Sequence, residues 1–188
     1  MCNLCSSQPV YEFTNKRKLC KTCFFDYFQK KVLYTIRKFK MIKRGDVIEY
    51  KKSSDFKGVV LEEMLKFIAD KAEIKLNSGK SEKKKASKIA SSSSLDSEAD
   101  NIVKTLISRN VSELKKNLPV VGNIIKPLYL FLDEEILLFA QLKNLKFRQE
   151  KKDKKDKIKS FEDEFEKKHP EVKRAIVNSL LELYNQEE

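Results

Sequence analysis

Met1-Cys2-Asn3-Leu4-Cys5 and Leu19-Cys20-Lys21-Thr22-Cys23-Phe24 are the stretches that decide the first part of the fold. Each contains a Cys-x-x-Cys pair, and together they hold all 4 cysteines of the 188-residue chain. A two-residue gap lets both sulfurs of a pair reach one tetrahedral ion, and the 14 residues between the pairs can close as a hairpin. The spacing therefore predicts that one structural zinc ion is bound by Cys2, Cys5, Cys20 and Cys23.

Two disulfides are one alternative for these cysteines. Disulfides need an oxidising compartment, and the sequence before Cys5 lacks the basic and apolar regions of a secretory signal. We therefore expect reduced thiols and a cytoplasmic protein. A redox site or an iron–sulfur site is a further alternative that the spacing leaves open.

Composition indicates a helix-rich protein with a polyanionic partner. Hydrophobic residues make up 40% of the chain and charged residues 36%, and no apolar run approaches the ~18 residues of a membrane span. The net charge is +12 and the pI is near 9.4, which favours nucleic acid as a partner. A generally lysine-rich proteome is the alternative explanation of the charge.

A basic helix is predicted directly after the second cysteine pair, at about 24–43. Its apolar residues recur every three or four positions and are expected to pack as core: Phe25, Phe28, Val32, Ile36 and Phe39. The opposite face is basic, and its predicted RNA-binding residues are Lys30, Lys31, Arg37, Lys38, Lys40 and Arg44. This face is either a phosphate track or simply solvated.

Strands and helices alternate over 46–110, which predicts a small parallel α/β core. The predicted strands are Val47–Tyr50, Ile74–Leu76 and Ile89–Ala90, with helices at about 58–71 and from Leu95 onward. The apolar stretch 118–132 contains two prolines and a glycine, so we expect a buried loop or an edge element there. The rest is predicted to be helical: 133–143, a charged helix over 148–168, and a last helix after Pro170.

The order of these parts resembles the TtuA-type tRNA 2-thiolation enzymes. The resemblance is carried by the cysteine module, by Gly45-Asp46 before a strand, and by three later segments: Ser92-Ser93-Ser94-Leu95-Asp96-Ser97-Glu98-Ala99, Ile124-Ile125-Lys126-Pro127-Leu128 and Phe165-Glu166-Lys167-Lys168-His169-Pro170. It implies a helix-rich α/β fold. It further implies a zinc-ribbon-like module with its basic helix at 1–44, a reduced adenine-nucleotide α-hydrolase (PP-loop, Rossmann-like) domain at 45–145, and C-terminal helices at 146–188.

The sequence departs from this family where the family binds ATP. The resemblance places Ser53 through Gly58 at the family's Ser-Gly-Gly-x-Asp-Ser pyrophosphate loop, but Ser54 and Asp55 replace its two glycines and Lys57 follows. Glycines let consecutive N–H groups point at phosphates, whereas a carboxylate repels them. The second signature keeps Asp96, for which helix capping is the alternative role. We interpret Ser53, Ser54, Asp55, Lys57, Gly58 and Asp96 as a degenerate nucleotide loop, and ATP binding is not expected.

The family's mechanism also uses three internal cysteines that hold an iron–sulfur cluster, and this chain has no cysteine after Cys23. We therefore expect no cluster and no catalytic residues. The resemblance then implies a catalytically degenerate, zinc-containing tRNA-binding protein, or a partner subunit of a thiolation complex or of a sulfur-carrier protein, without membrane association. Two alternatives remain: an active, adenylating tRNA sulfurtransferase, and a zinc-stapled structural protein that binds RNA or the ribosome.

Overall fold

The N-terminal part of the computed structural model is a short hairpin followed by a long helix. The structure describes residues 1–79, 86–148, 169 and 171–185. Strands β1 (Tyr11–Glu12) and β2 (Lys18–Leu19) pair antiparallel, and α1 spans Lys21–Lys38. The helix begins earlier than the predicted residue 24, because Cys20 is already its N-cap. It also ends earlier than 43, since Lys40 has a φ of 48°, a left-handed conformation that stops a helix.

The second part contains a five-stranded sheet that is mostly parallel. Its strands are β3 (Val47–Tyr50), β4 (Lys75–Ser78), β5 (Lys88–Ala90), β6 (Val120–Val121) and β7 (Ile124–Ile125). Their order is β4-β3-β5-β7-β6, and only the edge strand β6 runs antiparallel. The apolar stretch expected to form a loop or an edge element thus supplies β6 and β7. The predicted α/β class with a Rossmann-like parallel sheet is confirmed.

Four further α-helices and a 3-10 helix complete the described structure. They are α2 (Phe56–Ala69), α3 (Leu95–Ile107), the 3-10 helix (Val111–Asn117), α4 (Asp133–Leu142) and α5 (Val172–Asn185). Helices α2 and α3 begin a few residues after the carboxyl ends of β3 and β5, which are neighbours in the sheet. In parallel sheets, ligands bind at such an edge, where the strand order reverses. None of the described helices is long and apolar enough to cross a membrane.

One hydrophobic core joins the cysteine module to the sheet. The Phe28 ring on α1 stacks on Phe139 of α4 with centroids 4.2 Å apart, and it contacts Phe131 at 4.3 Å. The same cluster includes Cys2, Leu19 and the strand residue Ile48. The predicted boundary between 44 and 45 therefore does not interrupt the core.

A second cluster packs α3, the 3-10 helix and α5 around the buried Tyr129. It connects residues on both sides of the predicted boundary at 145/146. The three domain ranges stay predictions. Most of the predicted charged helix over 148–168, the motif around Phe165–Pro170 and the lysines at 80–85 lie outside the described residues.

Glu135, in the first turn of α4, is the main polar link between α1 and the α/β part. Its side chain is fully buried, and its oxygens accept hydrogen bonds from Lys31 Nζ (2.7 and 3.0 Å), the Tyr27 hydroxyl (2.6 Å) and the Leu132 backbone N–H (2.9 Å). Burial lowers the pKa of Lys31, while the adjacent carboxylate of Glu135 opposes that shift. A buried carboxylate is tolerated only when it is paired and hydrogen-bonded in this way.

We expect Glu135→Ala to lower the free energy of unfolding by about 3–5 kcal/mol, because it leaves the Lys31 ammonium buried without its partner. Glu134→Ala is the matched control: Glu134 is exposed and accepts one hydrogen bond, from the Tyr11 hydroxyl at 2.6 Å. That control should cost under about 1 kcal/mol. Urea unfolding followed by circular dichroism measures both. Equal losses in the two variants would contradict the role assigned to Glu135.

Candidate functional site

The four cysteine sulfurs form one compact group. Cys2 and Cys5 come from the first knuckle, Cys20 caps α1, and Cys23 lies in its first turn. All four Sγ atoms lie within 4.8 Å of one another, with Cys5–Cys20 at 3.3 Å and Cys5–Cys23 at 3.5 Å. Zn–S bonds of about 2.3 Å in a tetrahedron place sulfurs about 3.8 Å apart. The predicted metal ligands are therefore brought together at a spacing that suits one tetrahedral ion.

The protonation of the cysteines also favours a cation at this group. Burial raises the pKa of Cys2, but backbone N–H groups of Leu4, Cys20 and Cys5 oppose it and lower that pKa to about 6. The Leu4 N–H lies 3.5 Å from Cys2 Sγ. Hydrogen bonds with Ser7 lower the pKa of Cys5, whereas hydrogen bonding to Cys5 raises the pKa of Cys23 to about 12. Negative charge is thus shared within the group, and a divalent cation would neutralise it.

The predicted nucleotide loop connects β3 to α2 and folds tightly against the helix. Asp55 is the N-cap of α2, and its carboxylate accepts a hydrogen bond from the Ser53 hydroxyl. A Cβ on Gly58 would lie 2.5 Å from Ser53 Cβ and 2.7 Å from Asp55 Oδ1. The Arg148 backbone N–H donates a hydrogen bond to the Ser54 carbonyl oxygen at 2.6 Å. This bond ties the loop to the segment that follows α4. The loop therefore packs on its own helix, and Gly58 permits the close approach.

Lys57 points from α2 to the beginnings of α3 and α4. Its Nζ lies 3.0 Å from Ser94 Oγ, 2.7 Å from Ser97 Oγ and 2.8 Å from Asp133 Oδ1. Helix N-termini carry partial positive charge, so an ammonium group is favourable there only with a counter-ion. Asp133 supplies that counter-ion.

Asp96 acts as a link between three helices. Its Oδ2 accepts a hydrogen bond from the Asp133 N–H at the start of α4, and its Oδ1 pairs with Lys173 of α5, both at 2.7 Å. The N-cap of α3 is Ser94, not Asp96. The N-cap role considered for Asp96 therefore belongs to Ser94, while Asp96 lies in the first turn of α3 and accepts the Asp133 N–H at the start of α4.

A third ion pair lies next to the same edge of the sheet. Glu98, 2% exposed, pairs with Lys126 at 2.8 Å, and burial lowers the pKa of Lys126 against the influence of Glu98. Glu98 Oε2 has no hydrogen-bond partner among the described residues. Sequence reasoning assigned no role to Lys126, Lys173 or Asp133. Two weak signals were available: Lys126 stands in the segment Ile124–Leu128 that carries the resemblance, and Asp133 opens the helix predicted at 133–143.

The predicted basic face of α1 is divided by the structure. Arg37, Lys38 and Lys40 are exposed, and Lys30 is exposed while paired with Asp26 at 2.7 Å. Lys31 does not belong to this face, since its side chain is 13% exposed and its ammonium is bound by Glu135. That part of the prediction is corrected.

Arg44 lies beyond the end of α1. It is exposed and forms two hydrogen bonds with Glu73, at 2.6 and 2.8 Å. This pairing offsets its charge, so Arg44 contributes less to a basic surface than the sequence indicates.

Comparison with known proteins supports the fold. No protein-family model matches the chain, and no curated protein sequence matches it. Among solved structures, the U34-tRNA thiolase NcsA from Methanococcus maripaludis, with its [4Fe-4S] cluster, is similar, with a TM-score of 0.74 and 18% sequence identity. The match covers 97% of this chain and 86% of that one. The chain has the fold of a PP-loop tRNA thiolase.

We expect Gly58→Ala to destabilise the protein by about 1–3 kcal/mol, since the new methyl group would overlap Ser53 Cβ. The same change in an unobstructed helix interior stabilises by about 1 kcal/mol, so the sign of the effect is diagnostic. The double variant Ser53→Gly/Gly58→Ala should recover part of the loss. Thermal and urea unfolding measure all three variants, and a stabilised Gly58→Ala protein would show that the loop does not pack on α2.

Proposed function

We propose that this chain is a catalytically degenerate protein of the tRNA 2-thiolation family, which contains zinc and acts in the cytoplasm as a tRNA-binding or partner subunit. The proposal rests mainly on the edge of the sheet where a PP-loop enzyme would bind its nucleotide. There Lys57 pairs with Asp133, Asp96 with Lys173, and Glu98 with Lys126. Each acid is paired with a lysine of the same chain, so a metal–nucleotide complex would have to displace these lysines.

The loop itself also argues against nucleotide binding. Its Asp55 carboxylate stands at the N-terminus of α2, where a phosphate would otherwise interact with backbone N–H groups. The loop is bonded to itself through Ser53 and held by Arg148. ATP would have to displace these contacts and bring its negative charge next to Asp55.

Zinc is the metal that best suits the cysteine group. Four thiolates within 4.8 Å fit one ion. A four-iron cluster places its irons between the thiolates and needs them further apart. The chain has no other cysteines, so we propose one structural zinc and no iron–sulfur cluster.

tRNA is the proposed partner because of the charge of the chain and the exposed basic part of α1. The net charge of +12 and the exposed Lys30, Arg37, Lys38 and Lys40 suit an RNA backbone. A subunit without a catalytic site needs a competent partner, so we include a catalytic thiolation subunit or a sulfur-carrier protein among its proposed partners.

Metal analysis tests the cofactor. The purified protein should contain one zinc and no iron per chain by mass spectrometry, and Cys20→Ser should lose the zinc and unfold the hairpin. Cys20 is chosen because it is buried and caps α1. Ser112→Ala, at an exposed serine of the 3-10 helix, is the control and should retain zinc. Iron with sulfide in stoichiometric amounts would contradict this part of the proposal.

Binding measurements test the function. We expect no heat of ATP binding by calorimetry and a salt-dependent affinity for tRNA. Arg37→Ala/Lys38→Ala should lower the slope of log K against log salt by about 2, that is, by about 1 for each cation. Lys104→Ala/Lys115→Ala removes the same charge elsewhere and should change the slope less. Tight ATP binding, or restoration of tRNA 2-thiolation by this chain alone in a deficient strain, would identify an active enzyme.

A further inference from the structure

A groove of about 350 Å³ runs from the cysteine group along the outer side of α1. Its walls come from both knuckles, the hairpin and the helix, and they include Leu4, Arg17, Asp26, Tyr27, Lys30 and Tyr34. The volume suits one nucleotide base with its sugar, and the bases of a duplex, already paired and stacked, have no free face to enter it. The groove therefore has the size of a binding site for one nucleotide, and the side chains that line it indicate which ligand it binds.

The inner wall of the groove is held in place. The Tyr27 hydroxyl donates to Glu135, and the Phe13 ring meets the Tyr27 ring edge-on, with centroids 4.9 Å apart. Lys31, which also lines the groove, is bound by the same Glu135. These side chains cannot turn away without breaking buried contacts, so the wall is preorganised and little side-chain entropy is lost when a ligand binds.

The outer end of the groove is an exposed aromatic ring between cations. Tyr34 is 51% exposed, although it is a large aromatic side chain. Lys30 lies one turn before it and Arg37 and Lys38 one turn after it, positions that are neighbours on a helix surface. Lys38 Nζ lies 5.9 Å from the Tyr34 ring centroid. Lys30 is paired with Asp26 at 2.7 Å, so Arg37 and Lys38 carry most of the uncompensated charge. A flat ring flanked by these cations matches an unpaired base with its neighbouring phosphates.

We infer that this groove is a subsite for one unpaired nucleotide of an RNA, with the base stacked on Tyr34 and the flanking phosphates contacted by Lys30, Arg37 and Lys38. The inference rests on the proposed tRNA binding and specifies how it occurs: the groove selects a single-stranded region over a duplex. The carboxylates of an acidic peptide would pair with the cations, but Asp and Glu side chains have no aromatic ring to stack on Tyr34.

The test compares two probes: a fluorescein-labelled 12-nucleotide single-stranded RNA and a 12-base-pair RNA duplex. Stacking is worth about 1–3 kcal/mol per base, so Tyr34→Ala should weaken binding of the single strand roughly five- to 150-fold. Duplex binding, which depends on phosphates, should change less than twofold. Tyr34→Phe keeps the ring and should bind like the unmodified protein. Arg37→Ala/Lys38→Ala should weaken binding of both probes.

Retained zinc and an unchanged circular dichroism spectrum show that each variant is folded. If the unmodified protein binds tRNA but Tyr34→Ala binds the single strand normally, the subsite is wrong and the proposed function stands. If neither tRNA nor the single strand binds, both fail. Equal losses for strand and duplex would assign Tyr34 a structural role. A glutamate-rich peptide that binds with the same dependence on Tyr34 would assign the groove to a protein partner.

Discussion

The rest of the structure depends on the buried carboxylate of Glu135. It is the point where the cysteine module, α1 and the start of α4 meet, and its oxygens bind Lys31, Tyr27 and the Leu132 N–H. A fully buried charge has a large desolvation cost, which is offset only while every partner is in place. The polar contacts of Glu135 and the close ring contacts of Phe28 with Phe131 and Phe139 therefore act together to position α1 against α4.

The three consecutive acids of α4 face different parts of the molecule. Glu134 contacts Tyr11 of the hairpin, and Glu135 contacts Tyr27 and Lys31 of α1. Asp133 binds Lys57 of α2. Burial is the main reason why the pKa values of Tyr11 and Tyr27 are raised, and the adjacent glutamates add to it. The first turn of α4 thus joins the hairpin and α1 to the edge of the sheet at which α2 and α3 begin. Lys57 lies at that edge and, through Ser94, Ser97 and Asp133, links α2 to the first turns of α3 and α4.

Local patterns predicted the elements of this fold, and long-range pairings could not be read from them. The Cys-x-x-Cys spacing located the metal group, and the alternation around Val47–Tyr50 and Ile89–Ala90 located two central strands. The strand predicted at Ile74–Leu76 lies at Lys75–Ser78 instead. Its residues are exposed or half-buried and mostly polar, so no change in hydrophobicity along the sequence marks where the strand begins or ends. Lys31 is assigned to the basic face from sequence because it is a lysine directly beside Lys30. Its partner is 104 residues away, so only the folded chain shows that it is buried.

The same distinction applies to the loop between β3 and α2. Sequence predicted that Asp55 would repel an anion at the α2 N-terminus, and the structure adds that Lys57 turns away from the loop towards Asp133. An ammonium left in the loop could have compensated for Asp55 and attracted a phosphate. Since its charge is used between α3 and α4, the loop keeps the negative charge of Asp55. The exposed cations Lys30, Arg37 and Lys38 of α1 surround the exposed Tyr34 ring. Within the described residues, this surface then suits a polyanion better than the loop does.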